Sequence, residues 1–282
     1  MNAQLKKRFE WMGVVNATPN SFSDAGELLD QAVLRQRLQM WQALGARYID
    51  LGAESTAPMN QAVGHAEEWR RITSVIENFK DLPLSLDSYR GETVKKFLKH
   101  YPLALWNDVS GKLDNELEEV LSQHKQLQTV YCHNLAPSRE QTSKHMDYVS
   151  SEDILKQVET AFAQALTWYE VRNFKKPLLD FCFGFSKTHE QNWQLLKNLP
   201  RFIHDFEKQY GSQQWIVGIS RKSFLKRLAM SSVDQDVRSQ TEYMQSYYLA
   251  WLARELDPAV NILVRLHDPL LAHAIDCIGG EL

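Results

Sequence analysis

Glycine is scarce in this 282-residue chain: 12 occur, against roughly 20 at the average usage of ~7%. Together with only 9 prolines, that excludes a linker-rich or low-complexity protein. Cysteine is nearly absent. Cys132, Cys182 and Cys277 are odd in number, far apart and without a CxxC pair, which excludes a disulfide framework or a zinc ribbon and points to a reducing cytoplasm. No segment approaches the ~18 consecutive apolar residues of a membrane span. The opening MNAQLKKRFEWMGVV lacks the unbroken apolar stretch of a secretion signal. Nor does one sign of charge dominate: 32 basic against 35 acidic residues leave a net charge of -3. General attraction to nucleic acid or to an anionic membrane is therefore not expected, and any phosphate must be held by a local site.

What is present is a soluble composition, 44% hydrophobic and 24% charged, with ample material for one large core. Short apolar runs punctuate the chain at 11–15, 48–52, 82–87, 103–108, 128–133, 177–183, 215–220 and 260–267. They carry β-branched and aromatic residues without polar alternation, as parallel strands buried on both faces do. Amphipathic segments of helical length separate them, such as 152–173 with Ser151 as a candidate cap, and 239–255 with an aromatic stripe through Tyr243, Tyr247 and Trp251 that reads as core, with a share of it available as a dimer face. Stretches 134–150 and 230–238 read as loops. Eight strands alternating with helices predict an α/β fold, a (β/α)8 TIM barrel, with residues 1–282 as a single domain.

In such a barrel the reactive groups collect at the C-terminal ends of the strands. Those ends carry Asn16, then Asp50 and Glu54, Asp87, Asn107-Asp108, His133, Asp180, Ser220-Arg221-Lys222, and finally Arg265 with His267-Asp268. Polar groups at all eight ends predict a shared pocket. Asp87, Asn107 and Asp180 offer carboxylate and amide groups to a planar nitrogen heterocycle. Arg221, Lys222, Arg265 and His267, on the seventh and eighth strands, form a cationic cluster where such barrels commonly bind phosphate. Asn16 on the first strand could supply a neutral oxygen to a Mg²⁺ clamped by substrate phosphates.

These residues stand in motifs that resemble the dihydropteroate synthase family. NATPNSFSDAG (16–26) is similar to that family's NVTPDSFSDGG, and GARYIDLGAESTAP (45–58) to its GADIIDIGGESTRP. LDSYR (86–90), WNDVSG (106–111), LDFCFGFSKT (179–188), VGISRKSF (217–224) and VRLHDP (264–269) follow in the family's order. The resemblance implies a homodimeric enzyme joining 6-hydroxymethyl-7,8-dihydropterin diphosphate to 4-aminobenzoate with release of pyrophosphate. It implies that Asp87, Asn107, Asp180 and Lys222 contact the pterin and that Arg265 packs on its ring. Asn16 would ligate Mg²⁺, and Arg265 and His267 would hold the pyrophosphate. Ser220 and the loops after the first two strands, with Phe22, Asp24 and Thr56, would shape the aminobenzoate site. Asp24, Lys222, Arg265 and His267 are the expected catalytic set.

The departures from the pattern cluster in the same loops. Asn20 stands where the family has Asp, Ala57 where it has Arg, and Ala25, Ala53, Cys182 and Ser186 where it has Gly. Losing the arginine removes a planar charged fork that alanine cannot replace. An alternative expectation is therefore a catalytically impaired or non-catalytic pterin-binding paralogue, and a further one a pterin-dependent transferase with another acceptor. Cys182 reads as a packing residue, and His133 as a core histidine at least as readily as a ligand. His65, His100, His124, His145 and His189 read as surface residues.

Overall fold

A computed structural model describes residues 8–17, 31–54, 63–228 and 237–279. Eight parallel strands close a barrel in chain order. They are β1 (Glu10–Asn16), β2 (Tyr48–Gly52), β3 (Leu84–Asp87), β4 (Leu105–Asp108), β5 (Gln128–Cys132), β6 (Leu178–Asp180), β7 (Gln214–Val217) and β8 (Asn261–Leu266). The helices are α1 (Gln31–Ala43), α2 (His65–Val75), α3 (Gly91–Leu98), α4 (Asn115–Gln123), α5 (Ile154–Val171), α6 (His189–Tyr210), α7 (Val237–Glu255) and α8 (Pro269–Gly279). This is the expected (β/α)8 barrel.

Two apolar layers build it. Between strands and helices lies a continuous core that includes Trp11, Trp41, Trp106, Phe162, Phe181 and Trp215. Inside the barrel, Met12, Leu105, Val130, Leu178, Ile216 and Leu263 fill the base. The side-chain period of two along each strand then carries the inward positions from apolar to polar toward the C-terminal ends. On β2 the inward series runs Tyr48, Asp50, Gly52. The register sets Asp50 beside Ser85, Gly52 beside Asp87, and Asp87 beside Asn107. One bare position is a packing requirement. A Cβ on Gly13 would lie 2.5 Å from the indole of Trp41, so glycine is what lets this fully buried tryptophan of α1 rest on β1.

Several expectations change. The strand expected at 177–183 is only Leu178–Asp180, because the backbone leaves the extended region at Cys182, where φ is 53°. The polar stretch 134–150 is not simply a loop: Arg139–Asp147 winds as a 3-10 helix. Its Arg139 is buried and paired with Asp108 at 2.8 Å and Asp114 at 2.8 Å, an attachment that periodicity does not show. The cap of α5 is Asp153, which accepts from the Leu155 amide, rather than Ser151. Tyr243 and Tyr247 are 75% and 73% exposed, so that side of α7 faces outward, while Leu249 and Leu252 enter the core and the half-buried Trp251 packs against it. Most of 230–238 lies outside the described residues.

Candidate active site

At the C-terminal mouth of the barrel a cavity of about 570 Å³ is lined by Asn16, Asp87, Asn107, Asp180, Ser220, Lys222, Arg265 and His267, with Glu54, His145, Cys182 and Phe185 among its other walls. Eight of the eleven residues expected from sequence thus share one cavity, of a size suited to a small-molecule ligand. Phe22, Asp24 and Thr56, with Asn20, Ala25 and Ala57, lie outside the described residues.

The floor is organised by Asp50, a residue visible at its strand end but not placed in the site by its sequence alone. Asp50 is fully buried and takes three donors: Ser85 Oγ at 2.6 Å, Asn107 Nδ2 at 2.9 Å and Arg265 Nε at 2.7 Å. The other arm of Arg265 reaches Asp87 Oδ2 at 2.6 Å. Arg265, on the last strand, is therefore held across the barrel by carboxylates of β2 and β3. These pairs hold its guanidinium in the charged form against the cost of burial. The same tie to Asp50 turns the Asn107 amide so that its Oδ1 is left buried without a hydrogen-bond partner among the described residues. An orphaned acceptor of this kind costs about 1–3 kcal/mol, which a ligand N–H would recover.

Burial pushes the Asp87 carboxyl up to about 7, with Asp50 adding to the rise and Arg265 opposing it. Asp180 is raised for the same first reason, although its Oδ1 accepts from the Cys182 amide at 2.7 Å. Lys222 is lowered by burial and by Arg265, and its ammonium sits 4.6 Å from the ring centre of Phe185. His267 lies 2.9 Å from Ser220 Oγ through Nδ1. Burial and the charges of Arg221, Arg265 and Lys222 hold it well below the ordinary histidine value. The cationic cluster expected from the sequence therefore holds a neutral imidazole among its charged members. Arg221 is exposed at the rim with φ 60°.

Two histidines differ from their sequence reading. His145 is no surface residue. It is 1% exposed, and its ring stacks on Phe185 at 4.0 Å between centroids, in the cavity wall. The aperiodic stretch around it gave no signal of burial. His133 is buried as a core residue would be, yet neither ring nitrogen has a hydrogen-bond partner among the described residues. Burial, with Lys187 and Lys112 nearby, keeps it neutral.

Residues 12–255 match the family described as pterin binding enzyme. The chain belongs to that family. It is 32% identical over 227 residues to the dihydropteroate synthase of Synechocystis, covering 79% of this chain and 75% of that protein. It is 29% identical to the mitochondrial folate synthesis bifunctional protein of Arabidopsis thaliana, covering 76% of this chain but spanning only 40% of that longer protein. The crystal structure of dihydropteroate synthase from Clostridium difficile, determined in the presence of pteroic acid, superposes with a TM-score of 0.76 at 27% identity over the full length of both chains. Within this pterin-binding family, the polar floor around Asp50 lies at the barrel end where such enzymes carry their sites.

Proposed function

We infer that this chain is a dihydropteroate synthase, joining 6-hydroxymethyl-7,8-dihydropterin diphosphate to 4-aminobenzoate in folate biosynthesis. The observation that carries the reading is the orphaned Asn107 Oδ1, held in place by Asp50 beside Asp87 at the floor of the cavity. A planar heterocycle with ring and amino N–H groups satisfies it, while Asp87 and Asp180 accept further donors. Arg265 stays fixed beside the ring by its two carboxylates. In the reaction the bond between the pterin methylene carbon and the diphosphate oxygen breaks with its electrons going to pyrophosphate. A C–N bond forms to the arylamine, which gives up a proton. The protein's share is to hold both substrates in line and to stabilise the departing charge. Lys222, Arg265 and His267 serve the second task. His267 enters neutral, and its affinity for a proton rises as the anion gathers beside it.

Mg²⁺ belongs to this reading as a proposal. A Cβ on Gly52 would fall 3.2 Å from Asn16 Oδ1, so this oxygen borders a space that glycine leaves open. A hard, neutral oxygen of this kind fits Mg²⁺, which retains waters and substrate phosphates as its other ligands. Asn16 would hold the ion, whose chemistry is to neutralise the diphosphate. The exposed Tyr243 and Tyr247 of α7 support a homodimer through that face. Among the described residues no helix is long and apolar enough to cross a membrane. With three free cysteines, that supports a cytoplasmic location.

The sequence also favours a second reading, in which the pterin half is retained and transfer is lost, because Ala57 replaces the family's loop arginine. One experiment separates the two. Purified protein is titrated with the pterin diphosphate and Mg²⁺ by calorimetry, and pyrophosphate release is then followed on adding 4-aminobenzoate. Binding with release supports the synthase. Binding without release establishes the non-catalytic paralogue, and absence of binding overturns both.

A further inference from the structure

Lys187 is buried to 1% exposure, and no carboxylate lies within ion-pair distance of it among the described residues. Its ammonium instead donates to three main-chain carbonyls: His133 at 2.9 Å, Phe185 at 3.0 Å and Cys182 at 3.2 Å. The first immediately follows β5; the other two belong to the turn that leaves β6. That turn has an unusual backbone. Cys182, Gly184 and Ser186 all take left-handed values, with φ of 53°, 81° and 48°. Only one of the three is glycine, although such values cost other residues roughly 1–2 kcal/mol each. The carbonyl oxygens of Cys182 and Phe185 converge with that of His133 on one point, where they would repel one another. A cation at the centre removes that repulsion, and the three donors of an ammonium match the three acceptors.

We propose that Lys187 is a positioning residue, whose ammonium shapes the turn after β6 and so holds Asp180, Cys182 and Phe185 as the wall against the heterocycle. The proposal rests on the reading of this cavity as a pterin site. The coupling is short. The turn fixes the Cys182 amide, which donates to Asp180 Oδ1 at 2.7 Å. It also fixes Phe185, which lies between the stacked His145 ring and the Lys222 ammonium. A neutral amine has two N–H donors and cannot serve all three carbonyls. Burial lowers Lys187 to about 8, so the wall loosens as pH rises through that value. The titratable groups around it are Asp180, Cys132, Cys182, Lys222 and His133. Because the ordinary lysine value is 10.5, the unfolded chain binds more protons between these limits. This group's effect on global stability is thus to raise it from pH 8 upward, while the site weakens.

The test is calorimetric titration of the wild-type protein, Lys187→Met and Lys187→Arg with the pterin diphosphate between pH 7 and 10. A wild-type protein that does not bind refutes the pterin reading itself. With binding established, Lys187→Met is expected to lose at least about 10-fold in affinity, the equivalent of about 1.4 kcal/mol. The wild-type alkaline loss should disappear in Lys187→Arg, which stays charged, whereas a loss due to Lys222 would persist there. Wild-type affinity in Lys187→Met, or an unchanged alkaline limb in Lys187→Arg, overturns the proposal. Should the variants fail to fold, the amide chemical shifts of the wild-type chain decide. Those of Cys182 and Phe185 should move through one transition near pH 8 as the turn rearranges, and shifts unchanged across that range refute the clamp.

Discussion

Asp87 combines a buried carboxyl, a bond to Arg265 and a place beside the unpartnered Asn107 oxygen. With its carboxyl raised to about 7, a substantial fraction is protonated near neutrality. A heterocycle presenting N–H groups is best received by the carboxylate, so binding below this pH must first remove a proton. Pterin affinity is expected to fall as pH drops below about 7, approaching tenfold per unit for one proton (about 1.4 kcal/mol). Calorimetry between pH 5 and 8 checks this. Asp87→Asn should bind weakly with little slope, and a variant that keeps the slope would assign the proton elsewhere. His267 offers a second residue-scale check. Starting neutral beside four cations, it should take up a proton when the diphosphate binds. Enthalpies measured in buffers of different ionisation heat should then reveal uptake that His267→Asn lacks.

Among the elements, the turn after β6 shows what glycine replacement does here. Ser186 adopts φ 48°, yet its hydroxyl donates to the His145 carbonyl at 3.0 Å and lies 3.2 Å from Asn134 Oδ1, while accepting from the Leu135 amide at 3.1 Å. The serine thus ties the β5–α5 connection to the β6–α6 turn, which a glycine at this position cannot do. Ser186→Gly relieves roughly 1–2 kcal/mol of backbone strain but removes hydrogen bonds contributing about 0.5–1.5 kcal/mol each. Ser186→Ala removes the bonds and keeps the strain. Denaturant unfolding should therefore rank stability as wild type above Ser186→Gly above Ser186→Ala. Equal stability of the two variants would show that no strain is stored there. The strands were legible because burial on both faces leaves unbroken apolar runs, and their polar ends were legible because the register aligns them. His145 and Arg139 were not, since a 3-10 helix anchored by ion pairs has no apolar period. The role of Asp50 was hidden for a different reason: its partners Asn107 and Arg265 lie 57 and 215 residues away.

For the whole molecule, the cavity keeps Asp87, Asn107, Asp180 and Arg265 together, while the departures Asn20 and Ala57 lie outside the described residues. If the lost arginine stabilises the transition state, restoring it should matter by about 2.7–4 kcal/mol, the range for one stabilising donor. Ala57→Arg is expected to raise turnover on the order of 100-fold with pterin affinity nearly unchanged, measured by pyrophosphate release. No gain would mean that this chain performs transfer, or fails to, for reasons outside that position. Tyr243 and Tyr247 supply an outward aromatic pair on α7. Tyr243→Glu with Tyr247→Glu should shift a dimer toward monomer in analytical ultracentrifugation, and an unchanged mass would move the interface elsewhere.

Arg265 also dates the site within the life of the chain. Its carboxylate partners emerge from the ribosome early, at positions 50 and 87, whereas the guanidinium that joins them is synthesised more than 170 residues later. Until β8 docks between β7 and β1, Asp50 and Asp87 face each other without their cation. Ring closure and site assembly are consequently one event, and the nascent chain acquires its ligand affinity only at the last strand. A pterin that binds the closed ring alone would slow its reopening, acting late in folding as a latch on a finished barrel.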